Sequence, residues 1–282
     1  MEVVVTRDEF RKATSEARSG GSRLGLVPTM GSLHEGHLSL LRAAASDCDL
    51  VAMSIFVNPI QFSSAEDLAR YPSNLEQDLE LARNGGVGLV FVPSVVEMYP
   101  RGEPETTVDP GPLANRLEGA SRPGHFAGVA TVVTKLLAIC GQCRAYFGEK
   151  DFQQLAVVRN LVRDLDLDAE VVGCPTIRES DGLACSSRNR RLGPADRESA
   201  TVLFRALQAG RECLKDAAWE IEQVQRAMAS VVAEEPLAKL DYAMVVDPVS
   251  FEPPASRAGE LRLLIAADLG GVRLIDNLGV RP

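Results

Sequence analysis

No apolar run in this sequence approaches the roughly 20 residues that a membrane helix requires. The longest, such as Gly88 to Pro93 and Val129 to Val133, stop far short of it. Basic charge is also in the minority, 30 Lys and Arg against 39 Asp and Glu for a net charge of −9, and no long basic patch occurs. That balance excludes non-specific attraction to a polyanion such as nucleic acid. Cysteine is sparse and scattered: the six thiols (Cys48, Cys140, Cys143, Cys174, Cys185, Cys213) lie in a chain large enough not to need staples, which favours reduced thiols over a disulfide framework. Cys140 and Cys143 match C-x-x-C. A zinc site wants a second close pair, however, and a thioredoxin-like site wants the motif at a helix start, whereas this one follows the apolar run Val132 to Ile139. The N-terminus, Met1-Glu2-Val3-Val4-Val5, has neither a basic region nor a small-residue cleavage site, so it does not read as a secretory signal and the expected location is the cytoplasm.

What the chain does have is an ordinary globular composition, 45% hydrophobic and 24% charged over 282 residues, enough for one large domain or two unequal ones. Short β-rich runs alternate with amphipathic segments. Leu24 to Pro28, Leu50 to Val57 and Val87 to Pro93 read as buried strands, with helices expected at about Gly36 to Ser46 and Leu75 to Arg83. After a Pro/Gly-rich patch, Pro100 to Pro112, the pattern resumes with a helix at Val129 to Ile139, a strand Ala145 to Phe147, a helix Phe152 to Leu165 and a strand Ala169 to Gly173. This alternation predicts an α/β fold, a doubly wound Rossmann-like parallel sheet with ligands beyond the carboxyl ends of its strands. Beyond Arg188 to Arg191 the texture changes to helices at about Ala195 to Lys215 and Ala218 to Glu234, then strand-like runs at Tyr242 to Val246, Leu261 to Ala267 and Val272 to Ile275. A smaller C-terminal α+β domain is therefore expected, with residues 1–187 and 188–282 as the two domains.

Only three histidines occur, and two of them fall in Pro28-Thr29-Met30-Gly31-Ser32-Leu33-His34-Glu35-Gly36-His37. The segment sits where a strand ends and a helix begins. His34 and His37, spaced i and i+3, would share one face beside free backbone N–H groups and the positive end of the helix dipole. Glycines at 31 and 36 would let a phosphate approach, and the imidazoles can donate to it. Two other readings stand beside nucleotide phosphate binding: solvent-facing histidines with no role, and a metal site on His-x-x-His. The metal reading needs a third ligand, and His125 is the only other histidine. A P-loop is excluded, because His37-Leu38 stand where Lys and Ser/Thr are required.

The same segment resembles the HIGH-type signature of the nucleotidyltransferase superfamily, and the wider sequence resembles the pantothenate synthetase (pantoate–β-alanine ligase) family. Pro28 to His37, Ser54 to Phe62, Leu117 to Phe126, Phe147 to Gln154, Asp181 to Asn189 and Arg273 to Asn277 carry the likeness, in family order across nearly the whole chain.

The resemblance implies ATP-dependent joining of pantoate to β-alanine through an enzyme-bound pantoyl adenylate, with AMP and pyrophosphate released. It implies that His34 and His37 contact the ATP phosphates, with His37 the family's catalytic histidine. Lys150 would hold the phosphates and balance charge at the α-phosphorus, and Ser186, Ser187 and Arg188 would form the counterpart of the KMSKS loop. Met30, Gly31, Gly36, Gly148, Glu149, Asp151, Ile177 and Cys185 are implied as further nucleotide contacts, Ile177 through its backbone. Gln61 and Gln154 are implied at pantoate, where a neutral amide can donate to a carboxylate and exchange hydrogen bonds with hydroxyls. Asp78 best matches a carboxylate associated with Mg2+, and Arg122 and His125 belong to a loop that could line the entrance. Cys185 replaces the larger aliphatic residue expected before Ser-Ser-Arg. The small domain is expected to close over the larger one, and the assembly to be a homodimer. Three rival functions stay open: a superfamily member acting on another acceptor, a module that senses ATP or pantoate without turnover, and a metal-dependent hydrolase.

Overall fold

The computed structural model describes residues 1–281, which form two compact units. The first comprises Met1–Glu149 and Gln153–Pro175. Its chain runs β1 (Glu2–Val4), α1 (Arg7–Ser19), β2 (Leu24–Thr29), α2 (Glu35–Asp47), β3 (Leu50–Ile55), α3 (Ala65–Ala69), α4 (Leu75–Asn84), β4 (Leu89–Phe91), α5 (Val95–Met98), α6 (Glu118–Ser121), α7 (His125–Cys140), β5 (Cys143–Gly148), all but the first residue of α8 (Phe152–Asp164), and β6 (Ala169–Cys174). The strands form one parallel sheet in the order β1-β4-β3-β2-β5-β6.

Period-2 alternation makes this sheet buried on both sides. Leu26, Ala52 and Leu89 point into one core with Phe10, Val129, Leu136 and Leu155, while their successors Val27, Met53 and Val90 point into the other with Leu33, Leu41 and Tyr146. On the first face Phe10 of α1 stacks on Phe91 with ring centroids 4.7 Å apart. Thr6 starts α1 through a capping box with Glu9, a signal present in the sequence, although neither α1 nor β1 is anticipated by the reading above.

β2 is the centre of the design. Its chain successor β3 lies on one side and β5 on the other, so the order reverses beside β2 and the carboxyl end of this strand marks the topological switch point.

The second unit comprises Lys150–Phe152 and everything from Thr176 onward. It carries α9 (Pro194–Ser199), α10 (Val202–Cys213) and α11 (Ile221–Ala233), followed by the antiparallel sheet β7 (Ala238–Val246), β8 (Leu261–Leu269), β9 (Val272–Val280). Leu203, Leu207 and Met228 of the helices pack with Val245, Leu263 and Ile265 of the sheet. Gly270 and Gly271, at φ of 60° and 78°, make the two-residue turn between β8 and β9, where a side chain would be strained.

Two expectations shift. The single helix expected at about residues 195–215 is two, because both the N–H and the hydroxyl of Thr201 bond to the carbonyl of Glu198, three residues back, and the axis breaks there. The units divide at Pro175, ahead of the expected 187. Residues 176–187 belong with the second sheet because Arg178, bridged to Ala184, places its guanidinium on the Asp276 carboxylate of β9 at 2.6 and 3.0 Å. Among the described residues no helix is long and apolar enough to cross a membrane, and all six cysteines are thiols outside any disulfide.

Candidate active site

The loop leaving β2 is held from below. Asp78 of α4, 3% exposed, accepts the N–H of Ser32 on one carboxylate oxygen and that of Leu33 on the other, each at 2.8 Å. Gly31 has φ of 78°, and a Cβ there would fall 2.7 Å from the Asp78 carboxylate, so both the turn and the close approach require glycine. Ser32 follows at φ of 52°, an unfavourable region for a side-chain-bearing residue that the Asp78 bond holds in place.

His34 is the N-cap of α2, and its Nδ1 accepts the N–H of Gly36 at 3.1 Å. One turn on, His37 Nδ1 accepts the N–H of His34 at 3.3 Å, and the two rings lie 4.1 Å apart. A neutral imidazole that accepts at Nδ1 carries its proton on Nε2, so both rings are donors at Nε2. This corrects one expectation. The N–H groups of Gly31, Ser32, Leu33, His34 and Gly36 are not free for an anion, since Thr29, Asp78 and the two rings take them. Donor capacity has moved from the backbone to the imidazoles.

Beside this loop, the parallel register aligns Thr29 of β2 with Ile55 of β3, which brings the segment after β3 alongside. Gln61 sits there, 7% exposed, with Nε2 3.1 Å from the sulfur of Met30 and Oε1 accepting from Asn58 Nδ2 at 2.9 Å. Asn58 donates also to the Gly128 carbonyl at 3.1 Å, and its Oδ1 accepts from the Tyr99 hydroxyl at 2.8 Å. Burial raises the Tyr99 pKa far above its ordinary value, keeping the phenol protonated as that donor. Asn58 and Tyr99 escaped the sequence reading. The only signal for Asn58 is its place before Pro59, and Tyr99 carries none.

β5 ends at Gly148, followed by Glu149. Gln154 lies on α8 and makes no hydrogen bond to the Gln61 cluster, whereas its neighbour Gln153 is the buried anchor, donating to the carbonyls of Leu113 and Arg116 and accepting the N–H of Glu118.

In the second unit Lys150 is followed by Asp151, whose carboxylate lies 3.7 Å from Nζ, and the Lys150 carbonyl accepts from Asn277 at 2.8 Å. Residues 177–185 form a tight reversal in which the Ile177 carbonyl accepts the N–H of Cys185. Gly182 turns it, at φ of 94° and close against Phe204. Ser186 caps the short 3-10 helix Ser187–Arg191 through the N–H of Arg188, so Cys185, Ser186, Ser187 and Arg188 stand at the mouth of that reversal.

A family model described as pantoate-beta-alanine ligase matches residues 2–279. The chain belongs to the pantoate-beta-alanine ligase family. It is 49% identical over 278 residues to the pantothenate synthetase of Moorella thermoacetica, covering 99% of this chain and 98% of that protein. To the pantothenate synthetase of Mycolicibacterium smegmatis it is 52% identical over 268 residues, 95% of this chain and 83% of the relative. The crystal structure of the pantothenate synthetase from Thermus thermophilus superposes with a TM-score of 0.93 at 46% identity, over the whole of both chains. That of the ligase from Francisella tularensis, described as complexed with beta-gamma ATP and beta-alanine, superposes with a TM-score of 0.81 at 36% identity, over 99% of this chain and 97% of that one.

The described residues do not fit a magnesium site built from protein ligands alone. Both Asp78 oxygens are committed to backbone N–H groups, and no cluster of three His, Cys, Asp or Glu able to hold a metal occurs among the described residues.

Proposed function

We propose that this ligase condenses pantoate with β-alanine in two steps, through pantoyl adenylate. A carboxylate oxygen of pantoate attacks the α-phosphorus of ATP and the bond to the β-phosphate bridging oxygen breaks, releasing pyrophosphate. The β-alanine amine then attacks the acyl carbon, loses a proton, and AMP departs. The first step drives an anion at a polyanion, so it needs donors fixed beforehand where charge develops. The observation that carries this reading is the pair of imidazoles at the switch point, each committed at Nδ1 to a backbone N–H and therefore a donor at Nε2. His34 and His37 donate to the phosphates, and Lys150 supplies the cation. Met30, Gly31, Gly36, Gly148, Glu149, Asp151, Ile177, Cys185, Ser186, Ser187 and Arg188 complete the nucleotide site. Asn58 occupies the Gln61 oxygen and leaves its amide nitrogen, now against the Met30 sulfur, as the donor for the pantoate carboxylate. Gln154 takes a pantoate hydroxyl. Magnesium enters on the phosphates and water of ATP itself, with Asp78 beneath the loop as the associated carboxylate.

The test is pantoate-dependent exchange of labelled pyrophosphate into ATP without β-alanine, followed by β-alanine addition and assay of AMP and pantothenate. Exchange and then product are expected, whereas a sensor gives neither and another ligase gives exchange only with a different acid. Replacing His37 or Lys150 by Ala should slow exchange about 100-fold or more. Near-normal exchange in either variant would remove that residue from the mechanism.

A further inference from the structure

His125, the third histidine, is 8% exposed and begins α7 in the first unit. Its Nδ1 lies 2.8 Å from the main-chain carbonyl of Gln61, and its Nε2 lies 3.0 Å from Nη1 of Arg122. A carbonyl oxygen only accepts, so Nδ1 must carry the proton; a guanidinium only donates, so Nε2 must be the bare nitrogen. His125 is thereby held as the neutral Nδ1–H tautomer, opposite to that of His34 and His37. The same logic runs one residue deeper. The Gly128 carbonyl forces the Asn58 amide nitrogen toward it, leaving Asn58 Oδ1 for Tyr99 and its second N–H for Gln61 Oε1. Gln61 is therefore fixed twice, its side chain through Asn58 and its main chain through His125.

We propose that His125 is a positioning residue of the pantoate site, clamping the Gln61 backbone through a single hydrogen bond whose direction Arg122 sets. The inference rests on the reading of Gln61 as a pantoate ligand. A 1 Å drift of a ligand-holding group is enough to cost on the order of 100-fold in rate, and the 3-10 turn Pro59–Gln61 that carries Gln61 takes no side-chain cap.

The experiment combines tautomer assignment with steady-state kinetics. In 15N-histidine-labelled protein near neutral pH, the expected spectrum contains one Nδ1–H and two Nε2–H neutral imidazoles, and the Nδ1–H resonance disappears in His125→Asn. In pyrophosphate exchange, His125→Ala should raise the KM for pantoate about 10-fold and leave that for ATP within about 2-fold. His125→Asn, whose amide nitrogen takes the place of Nδ1, should restore the pantoate KM to within about 3-fold of the unmodified chain. His125→Gln, whose amide nitrogen takes the place of Nε2, should not. In a Gln61→Ala background the His125→Ala penalty should vanish, since both act on one contact. The inference is overturned by equal behaviour of the Asn and Gln variants, by a parallel rise in the KM for ATP, or by a penalty that persists in the Gln61→Ala background. Asn and Gln are close in volume, so their comparison stands even where the Ala variant folds poorly. Exchange by the unmodified chain with no change in any His125 variant overturns this inference alone, whereas no pantoate-dependent exchange in the unmodified chain overturns the pantoate reading and this inference together.

Discussion

Asp78 shows how one side chain can serve a site it does not enter. Its carboxylate spends both oxygens on Ser32 and Leu33, and Asp78→Ala would orphan two buried amides at about 1–3 kcal/mol each. Asp78→Asn keeps the shape but turns an N–H toward one of those donors. We expect the Asn variant to unfold at lower denaturant than the unmodified chain and to exchange pyrophosphate at least about 10-fold more slowly. Raising magnesium should not restore the rate, whereas rescue by magnesium would return Asp78 to the role of metal ligand. Of the residues singled out in the sequence, the histidine pair is marked by its rarity and spacing, whereas Gln61 is marked only by the family resemblance. The donor pattern around them carries no such mark. It depends on Asp78, Asn58 and Tyr99, which come from α4, the segment after β3 and the end of α5, and no spacing in the chain connects them.

At the scale of elements, the decisive contact is α7 against the turn that carries Gln61. Gly128 permits it: a Cβ there would come within 2.7 Å of the Gln61 backbone nitrogen and Cα, with the Ile60 carbonyl closer still. Gly128→Ala must therefore push the helix and the turn apart, with an overpacking cost of about 1–3 kcal/mol. The expected signature is a lower melting temperature together with a raised KM for pantoate, measured by thermal denaturation and exchange kinetics. A normal pantoate KM in a stable Gly128→Ala variant would show that the turn tolerates displacement. Periodicity located α7 but began it at Val129, four residues late. The missing first turn contains His125 and Gly128, because a histidine and a glycine interrupt the apolar pattern while occupying helical positions. The strands of the first sheet were readable for the opposite reason. Burial on both faces makes each a short continuous apolar run, and only their order in space had to come from the structure.

Across the molecule, several carboxylates are held below their ordinary range. Asp181 is lowered chiefly by its hydrogen bond from Arg197, Glu97 by the backbone N–H of Arg7, Glu9 by Thr6 and Asp247 by the backbone N–H of Ser250. A folded-state value below the unfolded one contributes stability that is fully present above the unfolded value and is lost as pH falls through the folded one. The contribution of these four carboxylates to the denaturation midpoint should therefore be constant from pH 7 to about 5 and decline progressively below about pH 4. These groups are exposed or half-buried, so solvent screens them and the decline should be shallow. Urea titrations across that range check it, and a midpoint that already falls between pH 7 and 6 would assign the sensitivity to other groups.

The path of the chain between the units bears on how such a protein can be dissected. Lys150–Phe152 belong to the second unit although the residues on either side belong to the first, so the polypeptide crosses over, returns, and crosses again at Pro175. Phe152 stacks on Phe251 and lies under the guanidinium of Arg262, while the Lys150 carbonyl is bonded by Asn277. A gene fragment ending at residue 175 would strip those three residues of their partners, and one beginning at 176 would lack them altogether. The smaller unit is thus not a cassette that recombination could graft whole onto another protein, because three of its residues, Lys150 among them, are encoded inside the gene segment of its neighbour.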